Sequence, residues 1–289
     1  MLLPRHMVSG HPGWPGSFCS LHATRPRRAL QHGPAVLAAR MTGSRVGRIW
    51  GLVAAQAGRR GDRVSAADAC AAAVAAVSVT GGWLTAASDG QAGHLMRVTD
   101  AVGEQLAELQ LTLGEGPSLD ASASGGPVLA SDLGTADAGR RWPAFAPAAR
   151  QAGAGAIFVF PLRIGAIGVG VLGLYRAWPG PLSTLQLGDA LVFADTATLL
   201  LLDGQEYTPG NPSARTGPGG QPADLALHRA EIDQATGMLT EQLGTGIASA
   251  FMRLRAYAFV NDLRLNDVAR DIVARRLRLY PDPSQDGGA

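Results

Sequence analysis

Seven arginines near the C-terminal end of this 289-residue chain stand at spacings that suit contact with a polyanion. The arginine side chain is planar and carries several N–H donors, which fit phosphate groups and stacked bases. Tyr257, in the same stretch, has a ring that can stack on an unpaired base. Taken alone, the arginines fit a solvated helix face better, with intrahelical ion pairs such as that of Asp267 with Arg270. Asp271 and Arg275 have a similar relation. The seven are Arg253, Arg255, Arg264, Arg270, Arg275, Arg276 and Arg278.

Three amphipathic helices are predicted over residues 224–280 from the spacing of their apolar residues. Glycines end the first helix, and Asn266 is a good N-cap for the third. A three-helix module of this size has little core of its own and commonly relies on a partner. The helices are predicted over residues 225–243, over 247–260 and from 266 to the prolines at 281 and 283.

The first of these helices carries a short heptad stripe. Leu225, Ile232 and Leu239 lie seven residues apart, which is the spacing that two paired helices use. The stripe predicts that the partner is a second copy of the chain, so we expect a homodimer.

The segments IDQATGMLTEQLG, AFMRLRAYAF and LNDVARDIVARRL, in that order, resemble the ANTAR domain, an RNA-binding module of bacterial transcription antiterminators. The resemblance implies a dimeric tail that holds paired short RNA hairpins in a nascent transcript, so that a terminator cannot form. Many members have lysine at the position of Thr236, so one possible phosphate contact is missing here. The RNA-binding candidates are Thr236, Gly237, Arg253, Arg255, Tyr257, Arg264 and Arg270.

Composition limits the function classes. All 25 basic residues are arginine, and the chain has no lysine. A P-loop, a protein kinase and a pyridoxal enzyme each need a lysine, so these classes are excluded. A phosphoacceptor receiver domain normally needs one as well. Ten of the arginines and a single acid lie in residues 1–63, so the net charge of the chain says little about residues 224–280. An RNA-binding surface on those residues depends on how their arginines are arranged, not on bulk charge.

Residues 45–205 have the pattern of an α+β domain, in which helices alternate with strands and two apolar runs, Ala156–Ile164 and Gly168–Tyr175, form a hairpin. LTLGEGPSLD, PVLASDL and RWPAFAPAARQAGAGAIFVFPLRIGAIGVGVLGLYR resemble a GAF domain, more narrowly the GAF half of actinobacterial GAF–ANTAR proteins. The resemblance implies an antiparallel sheet flanked by helices that binds a small molecule or serves to dimerise. Many relatives have cysteine at the position of Ser118, so no thiol chemistry is expected there.

A ligand cavity in this domain can be lined by aromatic residues and one cation. A hydrophobic core with one surface arginine accounts for the same residues equally well. The loop Gly114–Pro117 can bind an anion through its backbone N–H groups, although such a loop is more often a plain turn. The pocket candidates are Glu115, Ser118, Arg141, Trp142, Phe158 and Phe160.

The glycines at 168, 170 and 173 match the pattern GxGxxG. A dinucleotide fingerprint needs a strand before this pattern and a helix after it. Here the glycines lie inside one apolar run, so we interpret them as part of a Gly-rich central strand.

Neither the acids nor the cysteines have spacings that require a chemical site. The acids Glu115, Asp120, Asp132 and Asp137 fit caps and turns better than a carboxylate pair or a metal site. Cys19 and Cys70 fit no zinc or redox spacing, as in a reduced cytoplasm. We therefore expect no metal site, no cofactor and no enzymatic activity.

The remaining segments are predicted to connect or flank the two domains. Residues 1–40 have no periodic apolar pattern and indicate a disordered leader or a start site assigned too early. Residues 206–223 are rich in Pro, Gly and Ser, as in a flexible linker, and residues 281–289 form a predicted disordered tail. No apolar signal region follows the early arginines, and no membrane span is expected, so we predict a cytoplasmic protein.

The fold expected from these patterns is a GAF-like antiparallel sheet flanked by helices over residues 45–205, followed by a small all-α three-helix ANTAR domain over residues 224–280. The function expected is that of a signal-responsive, RNA-binding transcription antitermination regulator. The alternative is a sensor of a small molecule or a partner whose C-terminal helices only dimerise.

Overall fold

The computed structural model describes residues 44–88, 91–203 and 223–280. Within them lie two units, a sheet domain over residues 45–203 and a C-terminal bundle over residues 223–280. The predicted fold class, α+β followed by a small all-α unit, is confirmed. The predicted leader and tail, and almost all of the predicted linker, lie outside the described residues.

The described part of the sheet domain contains five strands and seven helices, and the predicted hairpin is present. The elements are α1 (Arg45–Arg60), α2 (Ala66–Val77), β1 (Gly81–Ser88), β2 (Gln91–Val98), α3 (Ala101–Leu113), α4 (Pro117–Ser124), β3 (Val128–Ala130), α5 (Ala136–Arg141), α6 (Phe145–Gln151), β4 (Ala156–Ile164), β5 (Ile167–Arg176) and α7 (Thr184–Asp203).

The strands form one antiparallel sheet in the order β2-β1-β5-β4-β3. The Gly-rich strand β5 lies at its centre, as the sequence predicts. Gly173 in β5 pairs with Trp83 in β1, and a Cβ atom at this glycine would lie 2.1 Å from the indole ring. The missing side chain therefore makes room for the large ring of Trp83, which is fully buried.

The two faces of the sheet carry two separate cores, because successive side chains of a strand point to opposite faces. In β4, Phe158 and Phe160 pack with residues of α1, α2 and α7. Ile157 and Val159 point the other way and pack with Trp83 and with residues of α3 to α6. The second face is the one on which the candidate pocket lies.

Helix α7 is, within the described part of the chain, the one helix long and apolar enough to cross a membrane by length and composition. A core helix passes the same test. Half of the apolar stretch of α7 is buried, and its residues Phe193 and Ala197 pack into the first core. Asp189 in α7 accepts from Arg48 of α1 at 2.6 Å and pairs with Arg45. These contacts are those of a core helix.

One predicted helix in the sheet domain is replaced by two short ones. The sequence predicts a single helix over residues 141–151, whereas α5 ends at Arg141 and α6 begins at Phe145. Trp142 leaves helical geometry with φ −135° and ψ 74°. The cause is Pro143, since a proline disfavours helical geometry in the residue before it.

The C-terminal bundle consists of α8 (Ala223–Leu243), α9 (Ile247–Val260) and α10 (Leu265–Val273). The predictions for α8 and α9 are confirmed, but the prediction that the third helix reaches Pro281 is wrong. Arg275 adopts a left-handed φ of +59°, and the N–H groups of Arg276 and Leu277 both donate to the carbonyl of Asp271. This turn satisfies the last carbonyls and closes α10 early.

Two of the three residues of the predicted heptad stripe on α8 pack inside the chain, and the side chain of the third, Leu225, lies outside the description. Leu239 and the neighbouring Ala235 are fully buried against Ala250 and Leu254 of α9, and Ile232 packs against the same cluster. Intrachain packing therefore accounts for the stripe over these residues, and a homodimer stays a prediction.

We predict that Asp100→Ala lowers the free energy of unfolding of the sheet domain by about 1–3 kcal/mol. Asp100 caps α3 by accepting from the Gly103 N–H at 2.7 Å, and it accepts from the Tyr175 hydroxyl at 2.9 Å. The substitution removes the cap and leaves a half-buried hydroxyl without its acceptor. Denaturant unfolding followed by tryptophan fluorescence measures the free energy of unfolding of this domain, because all five tryptophans precede residue 179.

Asp137→Ala is the matched control for this substitution. Asp137 is exposed and pairs with Arg140 three residues along, and such surface pairs contribute little to stability. Equal stability of the two variants would contradict the role given to Asp100.

Candidate functional site

The predicted RNA-binding residues are spread over all three helices of the C-terminal bundle. Gly237 on α8 and Arg264 at the start of α10 are exposed. Arg270 is also exposed, and its guanidinium lies 3.4 Å from Glu231 and 3.3 Å from Asp267. The predicted pair of Asp267 with Arg270 is therefore present.

The second predicted intrahelical pair has a different cationic partner. Asp271 pairs with Arg276 at 2.6 Å instead of with Arg275. The left-handed geometry of Arg275 ends the helix, and Arg276 then lies within reach of the Asp271 carboxylate.

Thr236 lies inside the bundle, so the structure does not support its prediction as an RNA contact. Its exposed fraction is 5%, and its hydroxyl donates to the Ile232 carbonyl one turn earlier at 2.7 Å. Threonine can satisfy its hydroxyl in this way on a packed helix face, whereas a lysine at the same position would have to reach solvent.

Arg253 and Tyr257 lie about one turn apart on the same side of α9, and both are half-buried. Tyr257 packs against the core of the bundle, and its carbonyl accepts from the Asn261 side chain at 2.8 Å. Neither residue is in the open, solvated position that the sequence alone indicates.

Arg255 contacts the sheet domain. Its Nε donates to the Thr112 carbonyl in the last turn of α3 at 3.0 Å. Its guanidinium lies against Gly114, where a Cβ atom would be 1.6 Å from Nη2. Burial lowers the pKa of Arg255. We call the packing of Arg255 on Thr112 and Gly114 the α3–α9 contact.

Two further residues of α3 face the bundle. Leu111 packs against the bundle core. Burial raises the pKa of Glu108, and the charges of Asp267 and Glu104 raise it further, whereas the charge of Arg264 and a hydrogen bond from the Asn266 backbone lower it. The Oε1 atom of Glu108 is buried and has no hydrogen-bond partner in the described structure.

A cavity of about 420 Å³ lies between the sheet and helices α3 and α4. Its wall includes Gln110 and Leu111 from α3, Ser118 from α4, Trp83 from β1 and Arg163 from β4. Trp83 Nε1 and Ser118 Oγ are buried and have no hydrogen-bond partner within the described residues. Among the described residues of the lining there is no carboxylate, and Arg163, the amide of Gln110 and hydroxyl groups give the cavity its polarity.

Of the six predicted pocket residues, Ser118 alone lines this cavity. Phe158 and Phe160 lie on the opposite face of the sheet, because the alternation of β4 places them in the first core. Applied to β4, the same alternation could have excluded them from the sequence alone.

The other three predicted pocket residues have structural partners. Glu115 accepts from the N–H groups of Ala144 and Phe145, both at 2.7 Å, and so caps the start of α6. Arg141 Nε and Trp142 Nε1 both donate to the Asp120 carboxylate, at 2.7 and 3.1 Å. These bonds tie α5 and the start of α6 to α4 and to the loop before it.

Sequence reasoning missed Trp83, Gln110 and Arg163 as pocket residues. The pairing of Trp83 with Gly173 is a partial signal, since a glycine in a central strand indicates that a large group lies close to the backbone. Gln110 had no signal of its own. Its Oε1 accepts from the Ser118 N–H at 2.6 Å, which is a tertiary contact between α3 and α4.

The remaining candidate groups have structural explanations. Asp132 accepts from the Gly134 N–H in a turn, and Asp137 pairs with Arg140. Cys70 is fully buried, and burial raises the pKa of its thiol to about 12, which makes the thiol unreactive. In the part of the chain that the structure describes, no three His, Cys, Asp or Glu side chains lie close enough to hold a metal ion.

Comparison with known families supports the assignment of the bundle. Residues 226–273 match the ANTAR domain. The matched residues run from α8 to the end of α10 and so cover the bundle that carries the candidate arginines. A comparison with curated proteins finds no match.

Solved structures with low identity also match the chain. A GAF domain of a phosphoenolpyruvate-protein phosphotransferase from Acinetobacter is 14% identical, with 55% of this chain and 92% of that chain covered and a TM-score of 0.41. The GAF domain of the corresponding protein from Coxiella burnetii is 12% identical, with 56% and 96% covered and a TM-score of 0.43.

We predict that Glu108→Gln raises the stability of the full chain at neutral pH. A raised folded-state pKa means that the charged form is disfavoured in the folded protein, so the wild type loses stability as pH rises through that pKa. Glutamine keeps the shape and an acceptor for the Asn266 backbone but has no charge. Thermal unfolding from pH 4 to pH 8 should show a stability difference that grows with pH.

Glu241→Gln serves as the control, since Glu241 is exposed on α8. A stability difference between wild type and Glu108→Gln that did not depend on pH would contradict the buried, charged state given to Glu108.

Proposed function

We propose that this protein is a signal-responsive RNA-binding regulator of transcription antitermination. The match of residues 226–273 to the ANTAR domain carries the proposal. In it, the bundle binds paired RNA hairpins as a homodimer in the cytoplasm, and the sheet domain acts as a GAF-like sensor. The proposal gives the protein no catalytic role.

The exposed arginines of the bundle support RNA contact. Arg264 lies at the start of α10 and Arg270 lies six residues further along the same helix, and both side chains are exposed to a nucleic-acid partner. Gly237 on α8 leaves open space, with no atom within 4 Å of where its Cβ would lie. Sequence-specific RNA recognition uses exposed loop bases, which a small helical surface can contact.

The pocket supports a small-molecule signal. Its volume of about 420 Å³ falls within the range of ligand sites. Trp83 Nε1 is a buried donor without an acceptor among the described residues, and such groups are costly unless a partner binds them. With Arg163 in the wall and no carboxylate among its described residues, the lining fits a small neutral or anionic ligand that carries a hydrogen-bond acceptor.

A second candidate function is a sensor whose C-terminal helices only dimerise. Its support is an apolar stripe on α9 and the turn after it, where Met252, Phe259, Val260 and Leu263 are all exposed. Met252 and Phe259 lie seven residues apart and share one face of α9, as in a helix that pairs with another chain, and Val260 and Leu263 are exposed at its end.

We predict that the full chain binds an RNA with two adjacent short hairpins and that Arg264→Ala weakens this binding about tenfold. The loss of one phosphate contact should also reduce the salt slope of log Kd by about one. Titrations at two salt concentrations, with a scrambled RNA beside them, measure both effects.

Arg140→Ala is the matched control, since Arg140 is an exposed arginine of the sheet domain. Equal binding of both RNAs by both variants would contradict the proposal. Absence of RNA binding with an intact dimer would favour the second candidate function.

We predict that Trp83→Phe, without ligand, costs less stability than Trp142→Phe. Both substitutions remove similar ring area, but the Trp142 N–H has its acceptor in Asp120, whereas the Trp83 N–H has none in the described structure. The difference should be about 1 kcal/mol. Thermal unfolding, followed by circular dichroism, measures it.

The same pair of variants identifies a pocket ligand. A small carboxylic acid that raises the Tm of the wild type should raise that of Trp83→Phe much less, and that of Trp142→Phe as in the wild type. An equal rise in Tm in all three proteins would contradict the role given to Trp83.

A further inference from the structure

Helix α3 is shared by the pocket and the C-terminal bundle. Gln110 and Leu111 line the cavity, and Leu111 also packs against the core of the bundle. Thr112, the next residue, holds Arg255 through its carbonyl. Three successive residues near the end of one helix therefore connect the two candidate sites.

The α3–α9 contact is a helix cap supplied by the other unit of the chain. The last carbonyls of a helix lack intrahelical N–H partners and carry partial negative charge, so a guanidinium is a favourable partner for them. Arg255 fills this position at Thr112. Gly114 follows with a left-handed φ of +70° and no side chain, which leaves the space that the guanidinium occupies.

The contact occupies one of the N–H donors that Arg255 would offer to RNA and buries part of its side chain. Its Nε already donates to Thr112, its guanidinium lies over the ring of Phe251 at 5.8 Å, and the side chain is half-buried. A phosphate and the Thr112 carbonyl would compete for the same donor. Full use of the Arg255 guanidinium by RNA, with Nε included, therefore requires that α9 moves away from α3.

The pocket reaches the same end of α3. The Gln110 side chain accepts from the Ser118 N–H at 2.6 Å, and Ser118 Oγ lies buried in the cavity wall with no hydrogen-bond partner in the part of the chain that the structure describes. An occupant that binds Ser118 or displaces Leu111 acts on the helix end that holds Arg255. A ligand shifts such an equilibrium by its differential affinity for the two arrangements.

We propose that the α3–α9 contact is autoinhibitory: packing of the bundle on α3 withholds Arg255 from RNA, and the occupant of the pocket sets how often the contact opens. The inference rests on the proposed function and specifies how the RNA site is regulated. Because coupling is reciprocal, weakening the contact must raise RNA affinity, and RNA must weaken the contact.

Gly114→Asn tests the proposal without altering any candidate RNA residue. Asparagine tolerates a left-handed φ better than most residues, but its Cβ would overlap the Arg255 guanidinium. Gly61→Asn is the matched control, because Gly61 ends α1 with φ +71° and has no atom within 4 Å of its Cβ position.

Two measurements on the full chain are compared. Hydrogen exchange without RNA should be faster in α3 and α9 of Gly114→Asn, and affinity for the RNA with two adjacent hairpins should rise about tenfold. Gly61→Asn should match the wild type in both. Leu111→Ala removes an apolar contact with the bundle and no charge, so it should also raise exchange in α3 and α9 and raise RNA affinity. It replaces Gly114→Asn in both measurements if that variant fails to fold.

The outcomes separate this inference from the proposed function. Faster exchange in α3 and α9 with unchanged RNA affinity would overturn autoinhibition while RNA binding stands. Unchanged exchange in both variants would show that the contact does not hold the bundle. Absence of RNA binding in every variant, including those with faster exchange, would overturn the proposed function itself.

Discussion

The carboxylate of Asp100 fixes the helix on which both candidate sites depend. It caps the start of α3 and accepts from the Tyr175 hydroxyl of the central strand, so α3 is tied to the sheet at its first turn. The other end of α3 is held by Arg255 of the bundle. Between these two ends, Gln110 and Leu111 form part of the pocket wall. A helix attached to one unit at its start and to the other at its end can connect a signal with an RNA surface.

The parts of the fold that follow from local rules could be predicted from the sequence. The spacing of apolar residues gave α8 and α9, and the Gly-rich apolar run gave the central strand β5. The failures also have local causes. Pro143 divides the helix predicted over residues 141–151, and the left-handed Arg275 ends α10 before the prolines. A left-handed arginine is uncommon, and no residue in its sequence neighbourhood indicates it.

The candidate site was less predictable, because it depends on contacts between residues that are distant in sequence. Ser118 was found from its loop, but its neighbour Trp83 lies 35 positions earlier, across the sheet. The candidate arginines could be predicted from their residue type. Their contacts could not be predicted, since the acceptor of Arg255 is a backbone carbonyl 143 residues away. Every residue has a backbone carbonyl, so a pattern of residue types cannot indicate which carbonyl accepts the hydrogen bond.

Hydrogen exchange of the full wild-type chain, with and without the RNA of two adjacent hairpins, tests the central claim most directly. If the α3–α9 contact is autoinhibitory, we expect RNA to slow exchange in α9 and α10. We expect it at the same time to speed exchange in the last turn of α3, from which Arg255 departs. Slower exchange in α3 together with α9 would mean that RNA binds with the α3–α9 contact intact. That result would contradict the autoinhibitory role of the contact.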